Sequence, residues 1–377
     1  MAERTLESLS RPIRVLFFIP NLAGGGAERV LVNVLRHLDR ERFDPTLAIN
    51  KLEGPYAHLV PDDVRTRVLG SSSLWTVMPR IAATMRELKP DVVVATTGGG
   101  GVPVVLAHRM LRSHARLIVW ERNVLVGSES GPKRTLLLAL KKALWPRADL
   151  VTAVGKYVEE DIQRHTGVGP ENTKVLYSPI LDADFQRQLE AEVEHPWFDD
   201  DVPVILCVAR YTAAKDHHTL LLGFKKLLEE RRARLVLLGH GPLREQVEAE
   251  AEELGVAEHC WFAGFVDNPF AFMRRSTMLA LTSRQEGVPG VVVQAMGSGL
   301  PVIGTDSPGG TGELVRNEET GLLIPMGDVD GFARSAKRLI DDPVFAQELA
   351  QRAREHVKCF EASVALEGFE RSLVSNA

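Results

Sequence analysis

Short, continuous apolar runs punctuate the chain, and between them lie longer runs with apolar residues every three or four positions. IRVLFFIP (13–20), TLAIN (46–50), DVVVATT (91–97), RLIVW (116–120) and DLVTAV (149–154) read as strands in the first half. PVILCVAR (203–210), RLVLLG (234–239), MLALTS (278–283), PVIGT (301–305) and GLLIP (321–325) do so in the second. Runs of this length, apolar on both faces, suit strands buried from both sides. AERVLVNVLRHLD, LWTVMPRIAATMRELK, HHTLLLGFKKLLEERR and LREQVEAEAEELG have helical spacing, and SVALEGFERSLVS reads as a last amphipathic helix. The alternation predicts an α/β protein, with parallel sheets covered by helices on both faces, twice over. The acidic, strand-poor stretch 179–202, with Pro179 and Pro196, reads as a solvated connection between the two series. An N-terminal domain is thus expected at 1–185 and a C-terminal one at 200–359, with the final helix, about 360–377, packing back on the first. Doubly wound domains carry ligands beyond the C-terminal ends of their strands. If two such crevices face each other, one ligand lies in the cleft between them.

Composition narrows the class. The 377 residues exceed one ordinary core, and 45% hydrophobic with 25% charged residues is a soluble, globular balance. No apolar run reaches the length of a membrane span, and the N-terminus places two acids before its short apolar run, unlike a secretory signal. Cys207, Cys260 and Cys359 are scattered, which suits a reducing cytoplasm and neither a disulfide framework nor a zinc site. The net charge of −5 is unevenly spread: through Glu190 there are 26 Lys and Arg against 21 Asp and Glu, and beyond it 19 against 29. That pattern does not point to nucleic acid, while the first half could meet an anionic surface or ligand.

Candidate chemistry clusters after strands. Gly24-Gly25-Gly26-Ala27-Glu28 follows the first strand and opens a helix, where free amides and the dipole favour an anion. The spacing is not that of a dinucleotide site, and a tight turn serves equally. Gly98–Gly101 follow a strand too, as a place of close backbone approach, a moving loop or a plain flexible turn. Arg210 and Lys215 follow the first strand of the second half, spaced to reach two oxygens of a diphosphate. Glu286 stands just past MLALTS, before a helix that begins near Gly290 and Val291 and contains Gln294. It can point into a cleft or cap that helix. Asp182-Ala183-Asp184 and Asp199–Asp201 read as solvated linker, not as metal ligands.

Glu286-Gly-x-Pro-x-Val-x-x-Gln294-Ala-Met-x-x-Gly-x-Pro-Val resembles the signature of the family-4 retaining glycosyltransferases of the GT-B fold, whose pattern carries an acid where Gln294 stands. Gly25-Gly-Ala-Glu-Arg-Val30, the Arg210–Lys215 pair, Gly239-His-Gly-Pro242 and Gly309-Gly-x-x-Glu313 are similar to that family's landmarks, in its order. The resemblance spans nearly the whole chain. It implies two Rossmann-like domains, a nucleotide-diphosphate sugar donor (UDP ahead of GDP), retention at the anomeric carbon, and neither metal nor other cofactor. It implies that Glu286 contacts the donor sugar. Arg210 and Lys215, with amides near Gly290 and Val291, would neutralise the diphosphate, and Gly25 and Gly26 would sit against it. The backbone of Gly264-Phe265-Val266 would read the base. At position 294 an amide replaces the usual ribose-gripping acid; it can still bond a hydroxyl, without charge assistance. The family's His at the end of the fourth strand is absent: Trp120 is followed by Glu121, Arg122 and Asn123, which could line the acceptor side or serve structure, and His108, His114 and His165 do not fit that place.

The expected activity is that of a retaining hexosyltransferase acting on a glycan or lipid-linked acceptor in cell-surface polysaccharide or glycolipid synthesis. The rivals are a nucleotide-sugar epimerase and a non-catalytic nucleotide-sugar or glycan-binding subunit. From Arg109 to Arg147 nine Lys and Arg meet two acids, and PKRTLLLALKKALW mixes cations with leucines. This suits an anionic membrane surface, and equally a crossover helix burying its leucines. The implied acceptor puts the membrane first, hence a cytoplasmic protein, peripheral on the inner face of the membrane.

Overall fold

The computed structural model describes residues 10–22, 25–70, 73–96, 98–126 and 131–375. The chain falls into two compact units, Met1–Ile180 with Ala362–Ala377, and Leu181–Glu361.

The N-terminal unit carries a seven-stranded sheet of β1 (Ile13–Ile19), β2 (Phe43–Ile49), β3 (Arg65–Val68), β4 (Val92–Thr96), β5 (Arg116–Glu121), β6 (Leu150–Ala153) and β7 (Thr173–Val175). The order is β3-β2-β1-β4-β5-β6-β7, and every pairing is parallel. The direction of winding reverses between β1 and β4. The helices Gly26–His37 and Gly98–Met110 begin at that switch point, one after each strand. Gly98–Gly101 therefore form the first turn of a helix and not a free loop. The reason is packing. A Cβ on Gly100 would lie 3.2 Å from Pro20, and one on Gly101 would lie 2.9 Å from the Trp145 ring. The final helix, Ala362–Val374, completes this unit. Its Phe369 ring lies 4.8 Å from Trp120 and 6.2 Å from Phe17, and Arg116 donates to the Ser372 and Ser375 carbonyls.

The C-terminal unit has a six-stranded parallel sheet, β10-β9-β8-β11-β12-β13. Its strands are β8 (Val204–Val208), β9 (Arg234–Leu238), β10 (Cys260–Gly264), β11 (Met278–Leu281), β12 (Val302–Asp306) and β13 (Leu322–Pro325). Here the winding reverses between β8 and β11. Leu220, Phe224, Leu235, Leu237, Ile303, Phe332 and Leu349 are fully or almost fully buried in its core. Three strands escape the sequence pattern: β3, β7 and β10. All lie at sheet edges; RTRV and TKV are short and broken by cations, whereas CWFAG is apolar but has no branched aliphatic residue.

The stretch 179–202 differs from the solvated connection expected of it. Residues Ala183–Leu189 form a helix that Asp182 caps, accepting from the Phe185 amide at 2.8 Å, while Asp184 pairs with Arg187. Phe185 is buried with its ring 5.0 Å from that of Phe270, and Asp200 pairs with Arg234. Asp182, Asp184 and Asp200 are thus a cap and two ion-pair partners. Among the described residues no three His, Cys, Asp or Glu side chains gather as metal ligands, and no helix is long and apolar enough to cross a membrane.

Candidate active site

In the C-terminal unit the sequence motifs converge on the switch point. Arg210 and Lys215 follow β8, and Glu286 follows β11, the neighbouring strand. Glu286 does not cap the helix Gly290–Ser298, whose N-cap is Pro289 and has no side-chain cap. Its carboxylate is instead hydrogen-bonded to Lys215 Nζ, with side-chain exposures of 11% and 18%. The pair is largely withdrawn from water, where electrostatic interactions strengthen. Arg210 is exposed and makes no side-chain ion pair among the described residues. Gly290 and Val291 are in the first helical turn, where amides have no intrahelical acceptor. Gln294 lies in that helix, half-buried.

The other landmarks hold this cluster in place. Gly309 has φ +120°, and a Cβ there would lie 1.6 Å from the Glu286 carbonyl oxygen. Only glycine allows the turn after β12 to support the Glu286 loop, through Glu286 N to Pro308 O (3.1 Å) and Gly310 N to Gly287 O (2.5 Å). Gly239, at φ +151°, plays the same part beneath Arg210, since a Cβ would lie 2.0 Å from the Ala209 carbonyl oxygen. Its amide donates to Gly264 O at 2.7 Å, so the loop after β9 is tied to the end of β10. Phe265 follows there, 41% exposed and 5.5 Å edge-on from His240, with Val266 beside it. His217 stacks on Tyr211 at 4.8 Å. Burial, then the Lys215 charge, pull its pKa down to about 4, so it is neutral at pH 7.

In the N-terminal unit Gly25 is the N-cap of Gly26–His37, with no side-chain cap; Gly24 lies outside the described residues. A Cβ on Gly26 would meet nothing within 4 Å, so packing does not explain that glycine. The triplet after Trp120 divides. Glu121 is 1% exposed, and its carboxylate accepts from Lys141 Nζ at 2.7 Å and from the Arg122 amide at 3.3 Å. The expectation that Glu121 lines an acceptor site gives way here to a buried ion pair between β5 and the helix Pro132–Leu144. Arg122 lies with its guanidinium 4.7 Å over the Trp120 ring, and Nη2 donates to Ser178 Oγ at 3.3 Å. Its Nε and Nη1 are sealed from water and have no hydrogen-bond partner among the described residues. Burial pulls its pKa down to about 10, opposed by the charge of Glu28, so it remains a cation at neutral pH. Asn123 is exposed.

The basic segment divides as well. Trp145, Leu144 and Lys141 are core, Trp145 being wholly buried, so this end of PKRTLLLALKKALW cannot meet a membrane. Leu136 is 62% exposed on the same helix, and Lys133, Lys142 and Arg147 are exposed too.

Residues 24–182 match the family described as "Glycosyltransferase Family 4", and residues 190–356 match "Glycosyl transferases group 1". The chain is a family-4 glycosyltransferase. Curated relatives of this glycosyltransferase include two Campylobacter jejuni enzymes. One is named N-acetylgalactosamine-N,N'-diacetylbacillosaminyl-diphospho-undecaprenol 4-alpha-N-acetylgalactosaminyltransferase; it is 27% identical over 91% of this chain and 94% of its own. The other is an alpha-1,4-N-acetyl-D-galactosaminyltransferase named for a diNAcBac-PP-undecaprenol-linked glycan, 24% identical over 93% and 95%. Among solved structures, Anabaena Alr3699/HepE in complex with UDP and glucose superposes with a TM-score of 0.80 at 20% identity, over 96% of this chain and 100% of that one. The glycosyltransferase thus has the GT-B architecture of two Rossmann-like domains.

Proposed function

We propose that this glycosyltransferase moves a hexose from a UDP-sugar to a lipid-linked or polysaccharide acceptor, with retention at the anomeric carbon and without a metal. The observation that carries the reading is the meeting of Lys215 and Glu286, with Arg210 nearby in sequence, at one switch point. Cations at a strand end and first-turn amides can stabilise negative charge on a departing diphosphate, which is the main electrostatic demand of sugar transfer. Glu286, held by Lys215, would grip the sugar hydroxyls while Lys215 faces the phosphates. The base would lie along Gly264-Phe265-Val266 and the ribose by Gln294. Relatives named for undecaprenol-diphosphate-linked substrates support a lipid-linked acceptor, and a similar fold solved with UDP supports the donor. Retention rests on the family resemblance; Glu121, engaged by Lys141, is not available as a base. The exposed face around Leu136 and Lys133 would rest on anionic lipid.

A panel of nucleotide sugars, scored for nucleotide release and for transfer to polyprenyl-diphosphate-linked acceptors, tests this. Full turnover in chelator with an α-linked product from an α-linked donor is the expected result. Turnover that needs a divalent ion, or an inverted product, overturns those parts of the reading. Binding to anionic vesicles at low salt, lost in Leu136→Glu, checks the membrane face.

A further inference from the structure

Two loops meet beside the Lys215–Glu286 pair, and they are laced together. Thr282 Oγ1 donates to the carbonyls of Lys215 (3.2 Å) and Asp216 (2.9 Å). The Arg284 amide donates to Ala214 O at 2.8 Å. Arg284 Nε and Nη2 grip the Asp216 carboxylate at 3.0 and 3.2 Å. That carboxylate also accepts from Thr219 Oγ1 at 2.9 Å and, more weakly, from the Thr219 amide at 3.5 Å, where it caps the helix His217–Leu228. Asp216 is almost wholly buried, with 4% side-chain exposure, whereas Arg284 is 53% exposed. Burial alone would raise the Asp216 carboxyl; the bonds from Arg284 and Thr219 overcome it and hold the group below the usual carboxylate range.

A helix cap alone does not account for this arrangement. Serine or threonine would cap as well, without a buried charge. Asp216 also sits at φ +47°, a left-handed conformation that costs a residue with a Cβ and that glycine adopts freely. The chain therefore places a buried anion, in a strained conformation, directly after the cation that faces the diphosphate. Left unneutralised, that anion would weaken the field of Lys215 at the leaving group. Arg284 neutralises it, and the same contact fixes the Lys215 turn against the loop that ends in Glu286.

We propose that Asp216 and Arg284 are positioning residues for the transfer: clasped together, they hold Lys215 against Glu286, so that the two loops present these side chains to the donor as one rigid pair. The inference rests on Lys215 and Glu286 being the donor contacts. Neither Asp216 nor Arg284 touches the reacting atoms. Their effect passes through Lys215 and therefore depends on it.

The test is a double-mutant cycle on the full chain, read as kcat for UDP release from a turned-over UDP-sugar. Displacing a reacting-group contact by about 1 Å can cost roughly a hundredfold in rate. Arg284→Ala should therefore lower kcat by about tenfold to a hundredfold, with the Kd for UDP changed by no more than about twofold. Arg284→Lys should recover part of the loss. Asp216→Gly, which relieves the left-handed φ but removes the cap and the ion pair, should lose turnover to a similar degree. In a Lys215→Ala background, Arg284→Ala should cost little more. Full multiplication of the two losses, or wild-type turnover in Asp216→Gly, overturns the proposal. An Arg284→Ala effect confined to the Kd for UDP does so too, by making Arg284 a direct donor contact. A crystal structure of Arg284→Ala reads the positioning without any turnover. Lys215 displaced from Glu286 is expected, and Lys215 left in place overturns the inference even where no UDP-sugar proves to be a substrate. Absence of turnover by the wild type, with Lys215 displaced in the variant, overturns the functional reading alone.

Discussion

Glu286 and Gln294 differ in what surrounds them, and so should fail differently. Glu286 is little exposed and bonded to Lys215. Glu286→Gln keeps the shape and removes the charge, so turnover should fall at least a hundredfold while the Kd for UDP moves little; intact turnover would place the sugar elsewhere. Gln294→Ala should cost only a neutral hydrogen bond, about 0.5–1.5 kcal/mol, seen as a roughly two- to tenfold weaker Kd for UDP. Gln294→Glu should tighten UDP, and weakening would remove the ribose from its reach. A second residue-scale test uses His217, whose pKa is about 4 in the folded protein, below its ordinary value of 6.5. The native state refuses a proton that the unfolded chain accepts, so its contribution is whole above pH 6.5 and drains away as pH falls towards 4. Between pH 7 and 4.5 the wild type should lose roughly 2–3 kcal/mol more unfolding free energy in urea than His217→Gln. Equal losses would mean that His217 is protonated in the fold. Glu286, Lys215 and Arg210 were legible in the sequence because strand-end placement and spacing mark them. Asp216 and Arg284 were not: each is an ordinary charged residue next to a marked one, and only the folded turn brings them together.

At the scale of elements, apolar runs announced the long interior strands because both faces of those strands are buried. The edge strands β3 and β7 carry no such signal, and the apolar run of β10 has no branched aliphatic residue. The helix Pro132–Leu144 shows the limit of pattern reading most sharply, because its cations play opposite parts. Lys133 and Lys142 face water, while Lys141 is buried and clamps the helix to β5 through Glu121. Nothing in the spelling KK distinguishes them. Removing one member of a buried pair strands the other, at a cost of about 3–5 kcal/mol. Lys141→Met should lose that much in urea denaturation, and the double variant Lys141→Met with Glu121→Leu should recover most of it. A Lys141→Met chain as stable as the wild type would mean that the pair is open to water.

Across the whole molecule, each unit repeats one device, a parallel sheet whose winding reverses, with its motifs gathered at the reversal. This level was legible because the order of motifs follows the order of strands. Binding to the folded state alone stabilises it, by about 2.7 kcal/mol at a hundred times the Kd. Saturating UDP should therefore raise the thermal midpoint of the wild type, and by less in Lys215→Ala; equal shifts would exclude Lys215 from the nucleotide site.

The return of the helix Ala362–Val374 to the N-terminal unit has a consequence for biosynthesis. The ring of Phe369 against Trp120 and Phe17 belongs to a core whose other members are made long before it. Ribosomes add roughly 5–20 residues per second, so everything between Leu181 and Glu361 emerges while that core still lacks its last wall. The second unit can close on itself in that interval, on the order of ten seconds or more. A chain stalled or cut before the helix Ala362–Val374 would then carry a finished C-terminal unit and an unfinished N-terminal one whose Trp120 face is open to chaperones and proteases. The order of completion runs against the order of synthesis, and the helix Ala362–Val374 decides whether the first half survives.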